Sequence, residues 1–140
     1  MIIGSINEGL VIDHIPAGKA MQIYEYLNLD ELDCQVAIIK NAISEKYGKK
    51  DILKIASHID LDYDLLGYID PHITVNVIHD GQRSEKYHPE LPKSLTGVIR
   101  CRNPRCISSI EQELPQTFRL ADKEKAIYRC IYCDTKAKKD

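Results

Sequence analysis

Four of the five cysteines in this 140-residue chain fall in its last 40 residues, and their spacing constrains the fold more than any other feature. Cys101 and Cys106 are separated by four residues, Cys130 and Cys133 by two, and 23 residues lie between the pairs. A tetrahedral thiolate site needs two close pairs whose sulfurs converge at about 2.3 Å from one ion, and short ligand loops supply that geometry. Asn103-Pro104 and Tyr132 beside the pairs suit tight turns. A segment this short cannot bury enough apolar surface to fold alone, so metal binding should contribute much of its folding free energy. The spacing therefore predicts one structural Zn2+ held by Cys101, Cys106, Cys130 and Cys133. Four thiolates close the coordination sphere, which leaves no position for catalysis.

Other uses of the same residues are two disulfides, four independent thiols or a redox Cys130-x-x-Cys133. Redox pairs usually open a helix after a strand, whereas Tyr128-Arg-Cys-Ile-Tyr-Cys reads as a strand entering a turn. No run of about 18 apolar residues exists to cross a bilayer, and the N-terminus lacks a signal-peptide pattern. A cytoplasmic location is expected, where cysteines bind metal more often than they pair. The fifth cysteine, Cys34, reads as a small core residue on an apolar strand face.

Net charge divides with the cysteines. The chain up to Pro92 holds 8 Lys and Arg against 15 Asp and Glu, about −7, and the rest holds 11 against 6, about +5. This supports two domains, 1–92 and 93–140. A basic tail fits nucleic acid or an acidic protein surface, and its sign alone does not choose.

Before Pro92 the pattern alternates. Residues 9–15 are apolar and β-branched and stop at Pro16, predicting a strand that ends with Asp13 and His14. Ala20, Ile23, Tyr24 and Leu27 predict a helix over 17–28, and strands are expected at 33–40 and 50–56. Asp60 is the expected N-cap of a short helix lined by Leu61, Leu65 and Ile69. Residues 72–79 read as a half-buried strand, and Asp80-Gly81 as a hairpin turn into a polar strand over 82–88. Strand, helix, strand, strand, helix, strand is the ferredoxin-like order, with two helices on one face of an antiparallel sheet. The fold class is thus α+β, with a ferredoxin-like N-terminal domain and a small all-β zinc-ribbon-like domain.

The other face of that sheet is left free. Lys54, Asn76, Ile78 and Lys86 on it could receive a polyanion with a flat apolar part, such as a nucleoside triphosphate. The ordinary alternative is solvated surface lysines. No Gly-rich phosphate loop, nucleophile elbow or catalytic carboxylate pair is apparent, which argues for a regulator or adaptor.

The residues resemble the regulatory chain family of aspartate carbamoyltransferase over nearly the whole length. The resemblance is carried by Val11-Ile12-Asp13-His14-Ile15-Pro16-Ala17, Gly48-Lys49-Lys50-Asp51-Ile52-Leu53-Lys54-Ile55, Thr74-Val75-Asn76, Leu91-Pro92 and the cysteine set, in that order. It implies a non-catalytic subunit whose N-terminal domain binds CTP, ATP or UTP and whose zinc domain docks on the catalytic chain, serving pyrimidine biosynthesis. By the resemblance, Asp13 and Lys54 contact the ribose and base region, Lys86 the triphosphate with His14 nearby, and Asn76 and Ile78 line the base site. Backbone from Ile3 to Ile6 contributes further contacts, Lys50 is a nearby basic position, and Asn103 and Arg105 face an acidic part of the catalytic chain. The resemblance also implies a homodimer of regulatory chains inside a larger hetero-oligomer, with no role for nucleic acid or membrane. Gly81 stands where relatives often carry an aromatic residue, and Ser57 where an asparagine is common. The competing reading is a nucleic-acid-binding zinc ribbon fused to a small-molecule sensor, based on Arg100, Arg102 and Arg105 beside Tyr128 and Tyr132.

Overall fold

A computed structural model of the chain describes residues 6–46 and 48–137. Two units are present, the first ending at Pro89 and the second starting at Glu90. In the first, β1 is Gly9–Pro16, α1 Ala20–Tyr26, β2 Val36–Ser44, β3 Gly48–Ile55, α2 Tyr63–Ile69, β4 Thr74–His79 and β5 Gln82–Tyr87. The sheet is antiparallel in the order β2-β3-β1-β4-β5. Its first four strands and two helices form the ferredoxin-like arrangement, which β5 extends by a hairpin.

Period-two alternation decides the buried face. Leu10, Ile12 and Ile15 of β1 and Leu53 and Ile55 of β3 are buried, as are Ile73 and Val75. The helices meet them with Ala20, Ile23, Leu65, Leu66 and Ile69. Each such aliphatic side chain stabilises by about 1.5–3 kcal/mol when fully buried.

Several boundaries differ from the expected ones, each for a local reason. The helix expected over 17–28 contracts to α1, because Gly18 (φ +94°) and Asn28 (φ 53°) adopt left-handed backbone that a helix interior cannot hold. Asp62, not Asp60, caps α2: its carboxylate accepts from the Leu65 N–H at 3.1 Å. The strand expected over 33–40 begins at Val36 and runs to Ser44, so Cys34 precedes it and is half-buried rather than on a strand face.

Two β-bulges flank β3. On one side Ile12 pairs with Leu53 and Ile15 with Asp51; on the other Ile39 pairs with Ile52 and Ala42 with Lys50. Each partner strand carries one extra residue, and His14 (φ 56°) and Asn41 (φ 58°) absorb the insertions in left-handed conformation. Between the bulges, the fully buried Asp51 accepts N–H bonds from Gly18 (2.9 Å), Ala20 (3.2 Å) and Asn41 (3.0 Å). That carboxylate ties the start of α1 and the β2 bulge to the sheet.

The second unit has β6 Ser94–Thr96, the single helical turn α3 Ile107–Ile110, β7 Thr117–Asp122 and β8 Ile127–Cys130, with antiparallel sheet order β6-β7-β8. Its buried residues are few: Pro92, Leu95, Phe118 and Tyr128 with Cys106, Cys130 and Ser108. The Tyr128 hydroxyl donates to the Pro92 carbonyl at 2.6 Å. Among the described residues no helix is long and apolar enough to cross a membrane.

Candidate functional site

Cys101 lies in the loop after β6, Cys106 directly before α3, Cys130 at the end of β8 and Cys133 in the turn that follows. Their four Sγ atoms all lie within 4.8 Å of one another. Cys101 and Cys133 are 3.5 Å apart and Cys106 and Cys130 3.6 Å. Sulfurs placed tetrahedrally at 2.3 Å from one centre stand roughly 3.8 Å apart, so the cage has the size of a single ion. These separations are far beyond a sulfur–sulfur bond of about 2.05 Å, and all four thiols are free.

Backbone bonding shapes both ligand loops. Asn103 Oδ1 accepts from the Arg105 N–H (3.0 Å), and its carbonyl accepts from the Cys106 N–H (3.1 Å) and the Ser109 hydroxyl (2.9 Å). In the second loop the Cys130 N–H donates to the Thr135 carbonyl (3.0 Å), and the Asp134 N–H to the Cys130 carbonyl (2.9 Å). Gln116 clips the first loop from the side: Oε1 accepts from the Cys101 N–H at 2.8 Å and Nε2 donates to the Ser108 carbonyl at 2.7 Å. Nothing in the spacing of the sequence singles out Gln116.

The electrostatics of the ion-free cage are uneven. The Thr135 hydroxyl, 3.1 Å from Cys133 Sγ, is the leading cause that lowers the Cys133 thiol to about 6. The Ser108 hydroxyl, 3.0 Å from Cys106 Sγ, likewise lowers Cys106. Loss of water around Cys101 pushes its thiol up to about 12, and the neighbouring Cys133 and Cys130 sulfurs add to the rise, since thiolates side by side repel without a cation between them. A divalent ion supplies that charge. Four cysteines are thus positioned to hold one metal ion, and Cys34 stands apart from them.

In the first unit, strand register brings the expected ligand-binding residues together. Lys54 pairs with Val11, Val11 with Asn76 and Asn76 with Lys86, so these four form one row across β3, β1, β4 and β5. At about 4.8 Å per strand, the row spans roughly 14 Å. Ile78 lies one step further along, opposite Gly9. Lys54, Val11, Asn76 and Ile78 are half-buried on the face away from the helices, and Lys86 is exposed. Asn76 Nδ2 donates to the Val11 carbonyl at 3.4 Å. Among the described residues, neither Lys54 nor Lys86 has an ion-pair partner.

The bulge in β1 presents Asp13 and His14 at one end of this face. Lys50 Nζ lies 3.0 Å from Asp13 Oδ1, so that lysine is already neutralised locally. The His14 N–H donates to Asp13 Oδ1 at 2.6 Å, and His14 Nδ1 meets the Thr74 hydroxyl at 3.0 Å. A cavity of about 470 Å³ adjoins His14 and is also lined by Pro16, Lys49, Asp70 and His72. Ile6 is half-buried just ahead of β1, and Ile3 lies outside the described residues. Arg105 is exposed, while the Asn103 side chain is spent within its own loop.

An antiparallel sheet with helices on one face and two lysines in a row across the other, followed by a unit whose four cysteines are placed to hold one metal ion, makes this a two-unit α+β chain. Residues 1–90 match the family model of the aspartate carbamoyltransferase regulatory chain, allosteric domain, and residues 93–140 that of its metal binding domain. The chain is 53% identical over 135 residues to an aspartate carbamoyltransferase regulatory chain of Clostridium tetani, covering 96% of this chain and 94% of the relative. It is 52% identical over 134 residues to one of Clostridium botulinum (96% and 92% covered) and 44% over 138 residues to one of Bifidobacterium longum (99% and 99%). This chain belongs to the aspartate carbamoyltransferase regulatory chain family. The family is one of regulatory rather than catalytic chains, with an allosteric and a metal-binding domain.

Proposed function

We propose that this chain binds nucleoside triphosphates of the CTP, ATP or UTP type on the open sheet face and relays that binding to a catalytic chain of aspartate carbamoyltransferase, controlling pyrimidine biosynthesis in the cytoplasm. The observation that carries the reading is the single row Lys54–Val11–Asn76–Lys86, in which two lysines without ion-pair partners among the described residues bracket an apolar and an amide side chain. That order suits a base and ribose at the centre with phosphates towards one cation. Ile78 and Ile6 extend the apolar part, and Asp13 and His14 offer an acceptor and an imidazole at the end of the face. Lys50 acts through Asp13, which it holds. The allosteric domain is residues 1–92 and the docking domain 93–140. Two regulatory chains pair as a homodimer within a larger hetero-oligomer.

Zn2+ is the ion we place on Cys101, Cys106, Cys130 and Cys133. Four thiolates in a tetrahedral cage favour it, and once the sulfurs are deprotonated the Ser108 and Thr135 hydroxyls beside Cys106 and Cys133 would turn to donate to them and spread the negative charge. The ion supplies cross-linking only. The chain's own residues shape the two ligand loops; in the first, Asn103 braces the loop from within and Arg105 is the exposed side chain offered to the catalytic chain. Relay requires the effector to bind one global state more tightly, typically by about 1–3 kcal/mol. Calorimetry of CTP and ATP binding to the assembled enzyme tests the reading. Binding lost or weakened in Lys54→Ala and Lys86→Ala supports it, and affinities equal to wild type in both variants refute it.

A further inference from the structure

The far end of β1 from the Asp13–Lys50 pair carries a second group of metal-ligating side chains, in a different unit from the four cysteines. Glu8 directly precedes β1, His58 follows β3 and His79 ends β4. One ligand atom from each lies within 4.8 Å of the others. His58 Nε2 is 2.8 Å from a Glu8 carboxylate oxygen and His79 Nδ1 is 3.1 Å from it. The two imidazoles lie with centroids 5.0 Å apart and planes tilted by 31°. Both rings thus aim one nitrogen at the same carboxylate.

Three backbone features, none within the side chains themselves, enforce this convergence. Gly9 (φ +146°) lies so close to β3 that a Cβ there would stand 2.0 Å from the Ile55 carbonyl oxygen and 2.9 Å from the Ser57 nitrogen. Only glycine lets the start of β1 approach the segment that delivers His58. The turn Asp80-Gly81 has positive φ at both residues (50° and 76°), the tight two-residue hairpin geometry, and this fixes His79 at the last position of β4. The Gly81 N–H then donates to the Asn7 carbonyl at 2.9 Å, and the Asp80 N–H reaches Glu8 Oε1 at 3.4 Å, locking residues 7 and 8 to the same turn.

We propose that Glu8, His58 and His79 form a second, exchangeable site for a divalent ion of the Zn2+, Co2+ or Ni2+ type. Imidazole nitrogen suits these ions, and a set of two histidines and one carboxylate leaves positions for water or an incoming ligand. All three side chains are exposed, so the ion enters and leaves without unfolding. Bound there, it would brace the residues before β1 against the β4–β5 hairpin. The proposal does not depend on nucleotide binding, and its test contains no nucleotide.

The experiment uses the untagged full chain with Zn2+ already in its cysteine site, titrated with Co2+ and followed by calorimetry and visible absorption. The expected result is one further equivalent per chain, with weak visible bands and without the intense sulfur-to-metal absorption of a thiolate site. His58→Ala and His79→Ala should each weaken that equivalent by about tenfold or more, while His72→Ala leaves it unchanged. The exposed positions make folding of these variants checkable by an unaltered melting curve in the absence of added ion. Uptake that stops at the cysteine site, or a further equivalent that survives both His58→Ala and His79→Ala, overturns the proposal.

Discussion

The two units reach order by opposite routes. Of the largest fully buried side chains, ten belong to the sheet unit, from Ile12 to Val75, and only Phe118 and Tyr128 to the metal unit. The first can be held by apolar burial at about 25 cal/mol per Å². The second has a three-stranded sheet of short strands, and four thiols at single-ion distance where a core would otherwise be. A metal held by these cysteines should therefore matter more to the second unit than to the first.

Ion removal is the most direct way to break this contrast. Chelation with a thiol-directed reagent should cost the second unit about 10 kcal/mol or more and collapse its amide resonances, while those of β1–β5 persist. If the resonances of both units survive, or both vanish together, the contrast fails. Next in size is Asp51→Ala, which strips three backbone N–H groups of their shared acceptor in a fully buried position. A loss of about 3 kcal/mol or more in urea unfolding is expected, confined to the sheet unit. Lys86→Ala should weaken triphosphate binding about tenfold, roughly 1.4 kcal/mol, with little change in stability, because the Lys86 side chain is exposed and has no ion-pair partner among the described residues. Lys50→Ala should act less on affinity, since its charge is already engaged by Asp13. Smallest is Tyr128→Phe, which removes the hydroxyl bond to Pro92 and should destabilise the metal unit by about 1 kcal/mol in thermal melts of the loaded protein.

What the sequence reveals follows from the range of the forces involved. The cysteine spacing, the apolar β-branched run of β1, the alternation in β4 and the Asp80-Gly81 turn are local patterns, and each appears in the structure at its expected place. The bulges at His14 and Asn41 are relations between strands, so no single strand announces them. Asp51 looks like an ordinary charged residue between two lysines and an isoleucine until Gly18, Ala20 and Asn41 are brought around it. The strand Ser94–Thr96 and the turn Ile107–Ile110 are too short to show any period. The metal ligands were therefore readable as a set, and the residues that hold them, Gln116 above all, were not. The cationic row was half legible: face and residue types follow from alternation, but alignment in one line needs the register.

The extra residue in β1 is an addition to an otherwise regular strand. Upstream of it Leu10 and Ile12 face inward, and downstream Ile15 does so again after an odd step, so two successive polar residues are delivered without breaking the inward series. Removing His14 would leave Leu10, Ile12 and Ile15 in strict alternation, so Ile15 would still face inward and the strand would pair with β3 without a bulge. The core therefore has no need of the insertion, and a deletion here should take away the adjacent outward Asp13 and His14 while leaving the sheet able to form.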